Sequence, residues 1–265
     1  MKKYVLITGA SSGIGHATAK AFAARGKNLI VIARRDDRLL DLKQEIISQF
    51  PEIDVVIKPA DLSKIDTLER LFAELDPYFI ETWINNAGFG YYSLVKDQDF
   101  EKTRLLLQLN VEALTLLSLL YVRKYHEQAG TQLINVSSAG GYTMVPTAVS
   151  YCASKFYVSS FTEGLSLELR ENHFPMQAKV LAPAATKTEF GQVANDTTNY
   201  DYDEAFARYH TSQEIAEFLL ELHDSTKAVG LIDRQTFSFQ LAEHQFSYAN
   251  QRAHNQSPTS ARADH

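Results

Sequence analysis

A tyrosine and a lysine stand four positions apart in the segment Tyr151-Cys152-Ala153-Ser154-Lys155, and Ser138 precedes the tyrosine by thirteen positions. Side chains four residues apart lie on one face of a helix, one turn from each other. A free tyrosine has a pKa of about 10, and a nearby ammonium lowers that pKa because it favours the phenolate. The pair is therefore a candidate general acid and base. Because Tyr-x-x-x-Lys also arises by chance in helices, its meaning depends on the sequence that precedes it.

A glycine-rich turn follows the first apolar run, Tyr4–Ile7, and a helical pattern follows the turn. Glycines let a phosphate approach the backbone, and the free N–H groups at the start of a helix face the anion. Alone, such a turn could be only a tight loop, but the strand–turn–helix context indicates a dinucleotide site. The residues expected to contact the cofactor here are Gly9, Ser11, Ser12, Gly13, Ile14 and Gly15.

The end of the second apolar run indicates which dinucleotide is bound. Arg34 is the first residue beyond Ala33, and Arg35 follows it. A guanidinium suits the 2′-phosphate of NADP, whereas an acidic residue would hydrogen-bond the ribose of NAD. We therefore predict NADP(H), bound through Arg34 and Arg35. Asp36 or Asp37 could serve an NAD ribose instead, which makes NAD(H) the alternative, and all four residues could also be a solvated loop.

Apolar runs of strand length alternate with helical patterns along the chain. The predicted strands are Tyr4–Ile7, Leu29–Ala33, Asp54–Lys58, Thr82–Ile84, Gln132–Val136 and Ala178–Leu181. The predicted helices are Ile14–Ala24, Arg38–Phe50, Ile65–Leu75, Phe100–Gln128, Ser150–Asn172 and Ser212–His223. Such alternation is typical of an α/β fold with a doubly wound, Rossmann-like parallel sheet and helices on both faces. We predict a single domain over residues 1–250 and a polar C-terminal tail over residues 251–265.

Two segments interrupt this alternation. Residues 186–210 are long and polar with scattered aromatic side chains, and we expect them to form a substrate loop. Ala228–Asp233 and Thr236–Leu241 are predicted to be two extended pieces around a short turn. We expect the tail to be frayed or ordered only by a partner.

Composition excludes several classes of protein. The net charge of −6 over 265 residues disfavours a nucleic-acid partner held by electrostatics. Cys152 is the one cysteine, so no internal disulfide can form, and we expect a reducing compartment. The first apolar run is too short for a signal peptide or a membrane span. The histidines show no metal-ligand spacing, so no metal site is predicted. We expect a cytoplasmic protein with no membrane partner.

Taken together, these motifs resemble the short-chain dehydrogenase/reductase family over about residues 4–190. The glycine turn is similar to the family's Thr-Gly-x-x-x-Gly-x-Gly, and Asn85-Asn86-Ala87-Gly88 to its Asn-Asn-Ala-Gly motif. The segment from Pro183 to Thr188 resembles its Pro-Gly-x-x-x-Thr, with Ala184 in place of glycine. The resemblance places further cofactor contacts at Asp61, Leu62, Asn86, Ala87, Gly88, Tyr151, Lys155, Pro183, Thr186 and Thr188.

The resemblance also implies a catalytic tetrad of Asn110, Ser138, Tyr151 and Lys155. NADPH would donate a hydride to a carbonyl carbon while Tyr151 donates a proton to the developing alkoxide. Lys155 would lower the pKa of Tyr151 and bind the nicotinamide ribose, Ser138 would polarise the substrate oxygen, and Asn110 would hold a water linked to Lys155. Two roles have alternatives: Ser137 could replace Ser138, and Asn110 could merely satisfy backbone groups.

The substrate pocket is expected among aromatic and apolar residues that follow the strands. These residues are Phe89, Tyr142, Met144, Val145 and Phe190. They predict a small or medium hydrophobic ketone or aldehyde, unless they line a dimer contact or the core instead. Cys152 is interpreted as a packing residue that points away from the site.

The expected activity is NADP(H)-dependent carbonyl reduction or alcohol oxidation. The alternatives are an NAD-dependent alcohol dehydrogenase and a non-catalytic dinucleotide-binding sensor or scaffold. The resemblance further implies a homodimer or homotetramer. The family's usual ending, a last strand before a glycine-rich tail, is not evident, and a hairpin-like extension over Ala228–Leu241 puts the tetramer contacts in doubt.

Overall fold

An eight-stranded sheet lies at the centre of the computed structural model, which describes residues 2–249. The strands are β1 (Lys3–Thr8), β2 (Asn28–Ala33), β3 (Val55–Pro59), β4 (Phe79–Asn85), β5 (Gln132–Val136), β6 (Gln177–Ala182), β7 (Thr186–Lys187), β8 (His210–Thr211), β9 (Val229–Ile232) and β10 (Phe239–Ala242). The sheet order is β10-β9-β6-β5-β4-β1-β2-β3, and β7 pairs with β8 apart from it. The predicted tail, residues 251–265, lies outside the described residues.

Helices cover both faces of this sheet. They are α1 (Gly13–Ala24), α2 (Asp36–Gln49), α3 (Leu68–Ala73), α4 (Phe100–Leu107), α5 (Leu114–Tyr125), α6 (Val149–Glu171), α7 (Phe190–Ala194), α8 (Tyr202–Ala205) and α9 (Ser212–Asp224). Every predicted strand and helix forms, with ends that move by at most three residues. The predicted doubly wound α/β fold is confirmed.

The alternation of side chains along β1 shows how two cores form. Val5 and Ile7 face one side of the sheet, where Phe22 of α1 and Leu219 of α9 pack on them. Leu6 faces the other side, in the core that includes Tyr121 of α5. Full burial of such a side chain stabilises the fold by about 1.5–3 kcal/mol. The parallel strands are thus apolar on both faces, as the sequence indicated.

The ligand crevice is set by the strand order. From β1 the chain winds outward to β2 and β3, and it then returns to β4 on the other side of β1. In doubly wound sheets, ligands bind outside the carboxyl ends of the strands at this reversal point. The ends of β1 and β4 therefore mark the crevice.

Residues 186–211, which we call the covering segment, are more ordered than the predicted loop. β7 and β8 pair in parallel at the two ends of the segment, with Thr186 opposite His210. Two short helices, α7 and α8, lie between them. The segment is therefore a closed excursion from the sheet.

The C-terminal strands correct one expectation. β9 and β10 do form an antiparallel hairpin. However, β9 also pairs in parallel with β6, with Val180 opposite Val229, so a further parallel strand is present. β10 is the antiparallel edge of an otherwise parallel sheet.

One helical stretch, Phe100–Tyr125, has the length and apolar composition of a membrane span, with a mean hydropathy of 1.7. It consists of α4, a π-helical turn over Gln108–Ala113, and α5. In this structure it packs on the sheet through core residues such as Leu117 and Tyr121. Core helices share this composition, so the stretch is weak evidence for a span.

Candidate active site

The turn after β1 is shaped by glycines and by a neighbouring asparagine. Gly9 and Gly13 have φ angles of 67° and 56°, in the left-handed region that favours glycine. Thr8 Oγ1 accepts hydrogen bonds from the backbone N–H groups of Asn86 and Ala87, each at 3.0 Å. The Asn86 side chain donates in return to the carbonyls of Thr8 (2.9 Å) and Gly9 (3.2 Å). The Asn-Asn-Ala-Gly segment after β4 thus fixes the turn after β1.

Two glycines of the turn mark close approaches. A Cβ atom on Gly15 would lie 2.4 Å from the Gly9 carbonyl oxygen and 2.5 Å from Asn86 Nδ2. A Cβ atom on Gly13 would lie 3.1 Å from Thr188 Cγ2. Gly15 therefore lets α1 begin close against the end of β1, and Gly13 lets the covering segment reach the turn.

Two arginines follow β2 beside this turn. The Arg35 guanidinium donates from NH2 to Ser12 Oγ (2.9 Å) and Ser11 Oγ (3.1 Å). Its NH1 atom lies 2.9 Å from Glu189 Oε2 of the covering segment. Arg34 borders the same cavity and has no hydrogen bond or ion pair with another residue in the range 2–249. The positive charge predicted after β2 is therefore at the glycine turn.

Asp61 and Leu62 line the far wall of the cavity, after β3. The Asp61 carboxylate accepts hydrogen bonds from the backbone N–H (3.1 Å) and hydroxyl (2.7 Å) of Ser63. These bonds order the loop after β3. Contact of Asp61 and Leu62 with the cofactor stays a prediction.

Tyr151 and Lys155 lie on the first turns of α6 and are both buried. Ser138 follows β5, where its hydroxyl accepts from the Gly140 N–H at 3.0 Å; a Cβ atom on Gly140 would lie 3.4 Å from Ser138 Oγ and 3.6 Å from Tyr151 Cε1. Ser137 faces the other way, because its hydroxyl donates to the Lys155 carbonyl at 2.9 Å and contacts Ser159. Ser138 is thus the serine beside the phenol.

Lys155, which lines the cavity, and Asn110, which does not, both lie close to Gly88. Lys155 Nζ donates to the Val136 carbonyl at 3.0 Å. Asn110 lies in the π-helical turn, where its amide accepts from the Phe89 N–H (3.1 Å) and donates to the Phe89 carbonyl (2.9 Å). A Cβ atom on Gly88 would lie 2.9 Å from Asn110 Oδ1 and 3.5 Å from Lys155 Nζ. The Asn110 side chain therefore satisfies backbone groups of Phe89, and its part in holding a water linked to Lys155 stays a prediction.

Burial has the largest effect on the pKa values of Tyr151 and Lys155. It raises the pKa of Tyr151 well above the ordinary value, the nearby Tyr92 adds to the effect, and the Ser138 hydroxyl opposes it. Lys155 Nζ lies 6.0 Å from the Tyr151 ring centroid, and a lowering of the Tyr151 pKa by this ammonium stays a prediction. Burial lowers the pKa of Lys155 to about 8. At neutral pH the phenol therefore keeps its proton.

One cavity of about 520 Å³ joins these parts. The predicted residues that line it are Gly9, Ser11, Ser12, Gly13, Ile14, Arg34, Arg35, Asp61, Leu62, Asn86, Ala87, Gly88, Phe89, Ser138, Val145, Tyr151, Lys155, Pro183, Thr186, Thr188 and Phe190. Gly15 and Asn110 lie behind the wall. Residues of the cavity that the sequence did not assign to the pocket include Ala148, Glu189, Tyr202 and Phe206. For Tyr202 and Phe206 the sequence signal was the set of aromatic residues scattered through the covering segment, and Ala148 and Glu189 had none.

Aromatic rings enclose one end of the cavity beside Tyr151. The Tyr151 ring centroid is 5.5 Å from that of Phe190 and 6.0 Å from that of Tyr92. Tyr202 Oη accepts a hydrogen bond from the Gly191 N–H at 3.0 Å, which joins α8 to α7 over this end. The space next to the phenol is therefore bounded by apolar ring surfaces.

Three expectations about the pocket are corrected. Tyr142 lies outside the cavity, since its hydroxyl donates to Glu163 at 2.6 Å and its ring stacks on Phe246. Met144 is exposed and does not line the cavity either. Cys152 does line the cavity, although it was interpreted as pointing elsewhere.

The residues present fit a nicotinamide dinucleotide. The glycine turn offers close backbone approach, and Arg34 and Arg35 supply positive charge beside it. Lys155 has three N–H donors and, among residues 2–249, one protein acceptor. A buried ammonium with spare donors at a cavity wall suits the hydroxyls of a ribose. Residues 2–249 contain no cluster of three or more acidic, histidine or cysteine side chains that could hold a metal ion.

Comparison with known proteins agrees with this geometry. The family model of short chain dehydrogenases matches residues 3–199. An uncharacterized oxidoreductase of Mycobacterium tuberculosis (strain CDC 1551 / Oshkosh) is 31% identical over 191 residues, which cover 71% of this chain and 75% of the relative.

Two solved structures are similar over most of the chain. A short-chain dehydrogenase from Sphingobium yanoikuyae in complex with NADPH is 28% identical, with a TM-score of 0.79 and 89% of each chain covered. The bulky-bulky ketone specific alcohol dehydrogenase from Comamonas testosteroni is 26% identical, with a TM-score of 0.75 and 87% of this chain and 86% of that chain covered. The chain thus belongs to the short chain dehydrogenase family and is an oxidoreductase that acts with a nicotinamide dinucleotide.

Proposed function

We propose that this protein is an NADP(H)-dependent oxidoreductase that interconverts a hydrophobic ketone or aldehyde and the corresponding alcohol. The observation that carries the proposal is the buried Tyr151 phenol, which lies beside Ser138 and one helical turn from buried Lys155. All three border the cavity that the glycine turn also borders. A proton donor and a cofactor site therefore open into the same space.

In this mechanism Tyr151 is the general acid of the reduction. The bound nicotinamide would supply the hydride that adds to the carbonyl carbon. Tyr151 Oη would donate its proton to the carbonyl oxygen, and the Ser138 hydroxyl would stabilise the negative charge that develops there. Because burial keeps Tyr151 protonated at neutral pH, the residue is poised as a donor. Oxidation of the alcohol needs the phenolate and is favoured only at higher pH.

Lys155 and Asn110 support this proton transfer. At pH 7 a lysine with a pKa of about 8 is mostly charged, so Lys155 would hold the ribose and stabilise negative charge on Tyr151 Oη. Asn110 acts as a positioning residue, since both polar atoms of its amide hold the Phe89 backbone.

The preference for NADP(H) over NAD(H) is supported by charge at the glycine turn. Arg34 and Arg35 border the cavity, and Arg35 already spans the Ser11 and Ser12 hydroxyls. A guanidinium binds a phosphate through charge-assisted hydrogen bonds. The similar structure from Sphingobium yanoikuyae holds NADPH.

A hydrophobic substrate is supported by the aromatic end of the cavity, formed by Tyr92, Phe190, Tyr202 and Phe206. Similarity to an alcohol dehydrogenase specific for bulky-bulky ketones also supports a hydrophobic substrate.

Exposed apolar side chains on α4 and α5, such as Leu107 and Leu119, support a homodimer or homotetramer. We further propose a cytoplasmic location, consistent with a single free cysteine.

The test is steady-state oxidation of NADPH with a panel of hydrophobic ketones and aldehydes. Tyr151→Phe should lower kcat by about 10²–10⁴-fold while NADPH affinity stays within a few fold. Tyr157→Phe is the matched control, because this tyrosine lies on the same helix and its hydroxyl contacts only Thr115 among residues 2–249. Turnover retained in Tyr151→Phe would contradict the acid assignment, and no turnover with any carbonyl would favour a non-catalytic sensor.

A further inference from the structure

Glu189 places a carboxylate against the arginines that follow β2. Glu189 Oε2 lies 2.9 Å from Arg35 NH1, and its Oε1 lies 3.7 Å from Arg38 NH1 on α2. Burial alone would raise the pKa of Glu189, but the hydrogen bond and charge of Arg35, aided by Ser12 and Arg38, bring it below the ordinary value. Glu189 is therefore ionised at neutral pH, and it lines the same cavity as Arg34 and Arg35.

The position of Glu189 in the chain connects these arginines to the covering segment. Glu189 directly precedes α7, and its neighbour Thr188 packs on Gly13 of the glycine turn. Phe190, on its other side, forms part of the aromatic wall beside Tyr151. A movement of Glu189 would therefore change the structure both at the glycine turn and at the substrate end of the cavity.

A carboxylate and a phosphate compete for the same guanidinium donors, since both accept bidentate or charge-assisted hydrogen bonds. The Arg35 guanidinium donates hydrogen bonds to the Ser11 and Ser12 hydroxyls and pairs with the Glu189 carboxylate. We propose that Glu189 is a determinant of cofactor specificity: it occupies the arginine donors that a 2′-phosphate needs, and so weakens NADP(H) binding without affecting NAD(H). The inference rests on the proposed use of NADP(H).

A second ion pair on the same segment provides an internal control. Asp196, just after α7, pairs with Lys102 of α4, and among residues 2–249 it forms no ion pair with Arg34, Arg35 or Arg38. Removing that pair would loosen the covering segment without freeing Arg35 or Arg38. Two effects of Glu189 on cofactor affinity can therefore be separated: competition for the arginine donors, and attachment of the covering segment to the rest of the protein.

The experiment is a titration of the wild-type protein, Glu189→Gln and Asp196→Asn with NADPH and with NADH, followed by cofactor fluorescence or calorimetry. Glu189→Gln should bind NADPH about two- to tenfold more tightly, the range expected when an exposed ion pair no longer competes, while NADH affinity changes less than twofold. Asp196→Asn should leave the ratio of the two affinities unchanged. Glu189→Asp, which keeps the charge, should resemble the wild type more than Glu189→Gln does.

An unchanged NADPH-to-NADH ratio in Glu189→Gln, or the same change in ratio in Asp196→Asn, would overturn the inference. A wild-type protein that prefers NADH would instead contradict the proposed cofactor preference. In that case the inference is still judged by the change in ratio between the variant and the wild type. The side chains of Glu189 and Asp196 are 41% and 66% exposed, so thermal melting should show all three variants to be folded.

Discussion

Replacing Gly15 by alanine tests whether the close start of α1 against β1 shapes the cofactor site. The new Cβ atom would lie 2.4 Å from the Gly9 carbonyl oxygen and 2.5 Å from Asn86 Nδ2, each well inside van der Waals contact. The Gly9 oxygen is backbone, and Asn86 is held by hydrogen bonds to the Thr8 and Gly9 carbonyls. Neither group can rotate away freely, so the turn itself must shift.

The size of the effect follows from these contacts. Overpacking of this kind costs about 1–3 kcal/mol, and loss of the two Asn86 hydrogen bonds costs about 1 kcal/mol each. Alanine is favoured over glycine in a helix by about 1 kcal/mol, which offsets part of the loss. We expect Gly15→Ala to lower the free energy of unfolding by about 2–4 kcal/mol. Because the glycine turn moves, NADPH affinity should fall by roughly tenfold or more.

Gly164→Ala is the matched control. This glycine also lies in a helix, α6, and a Cβ atom there would meet nothing within 4 Å. Gly164→Ala should therefore raise the free energy of unfolding by about 0.5–1 kcal/mol and leave cofactor affinity unchanged. Urea denaturation and NADPH titration measure both quantities. If Gly15→Ala were as stable as Gly164→Ala and bound NADPH normally, the close-approach argument would be refuted.

Two further predictions concern charge at the cavity. In the protein without cofactor the pKa of Lys155 is about 8, so its ammonium is present below that pH and lost above it. The kcat/KM for NADPH should thus be flat at neutral pH and fall about tenfold per unit above pH 8; a limb that begins only near the ordinary lysine value would contradict this. Arg34→Ala should weaken NADPH binding about tenfold or more but NADH binding less than twofold, measured by titration, and equal losses would show that Arg34 does not contact the 2′-phosphate.

The parts of the fold that follow from local pattern were predictable from the sequence. The run from Tyr4 to Gly15 encodes a buried strand, a glycine turn and a helix in immediate succession, and the structure has all three. Likewise, Tyr151 and Lys155 share a helical face because of their spacing. The doubly wound topology also followed, because right-handed crossovers leave few alternatives for alternating strands and helices.

Residues whose placement depends on distant partners were not predictable. Tyr142 follows Ser138 closely in sequence, but its hydroxyl donates a hydrogen bond to Glu163 of α6, and the ring lies outside the cavity. The same carboxylate accepts from the Phe246 N–H at 3.1 Å, a contact between positions more than eighty residues apart. The pairing of Glu189 with Arg35 likewise joins two loops that no local pattern connects.

Asn110 shows how one polar side chain in an apolar helix can support the whole site. Its amide holds Phe89, the residue that follows the Asn-Asn-Ala-Gly segment. At the other end of that segment, Asn86 holds the Thr8 and Gly9 carbonyls. Hydrogen bonds therefore hold both ends of the segment from Asn86 to Phe89, one end at the glycine turn and the other at the π-helical turn. Within this segment, a Cβ atom on Gly88 would lie 3.5 Å from Lys155 Nζ. Because the cofactor turn and the lysine share this support, a change at Asn110 should disturb binding and proton transfer together.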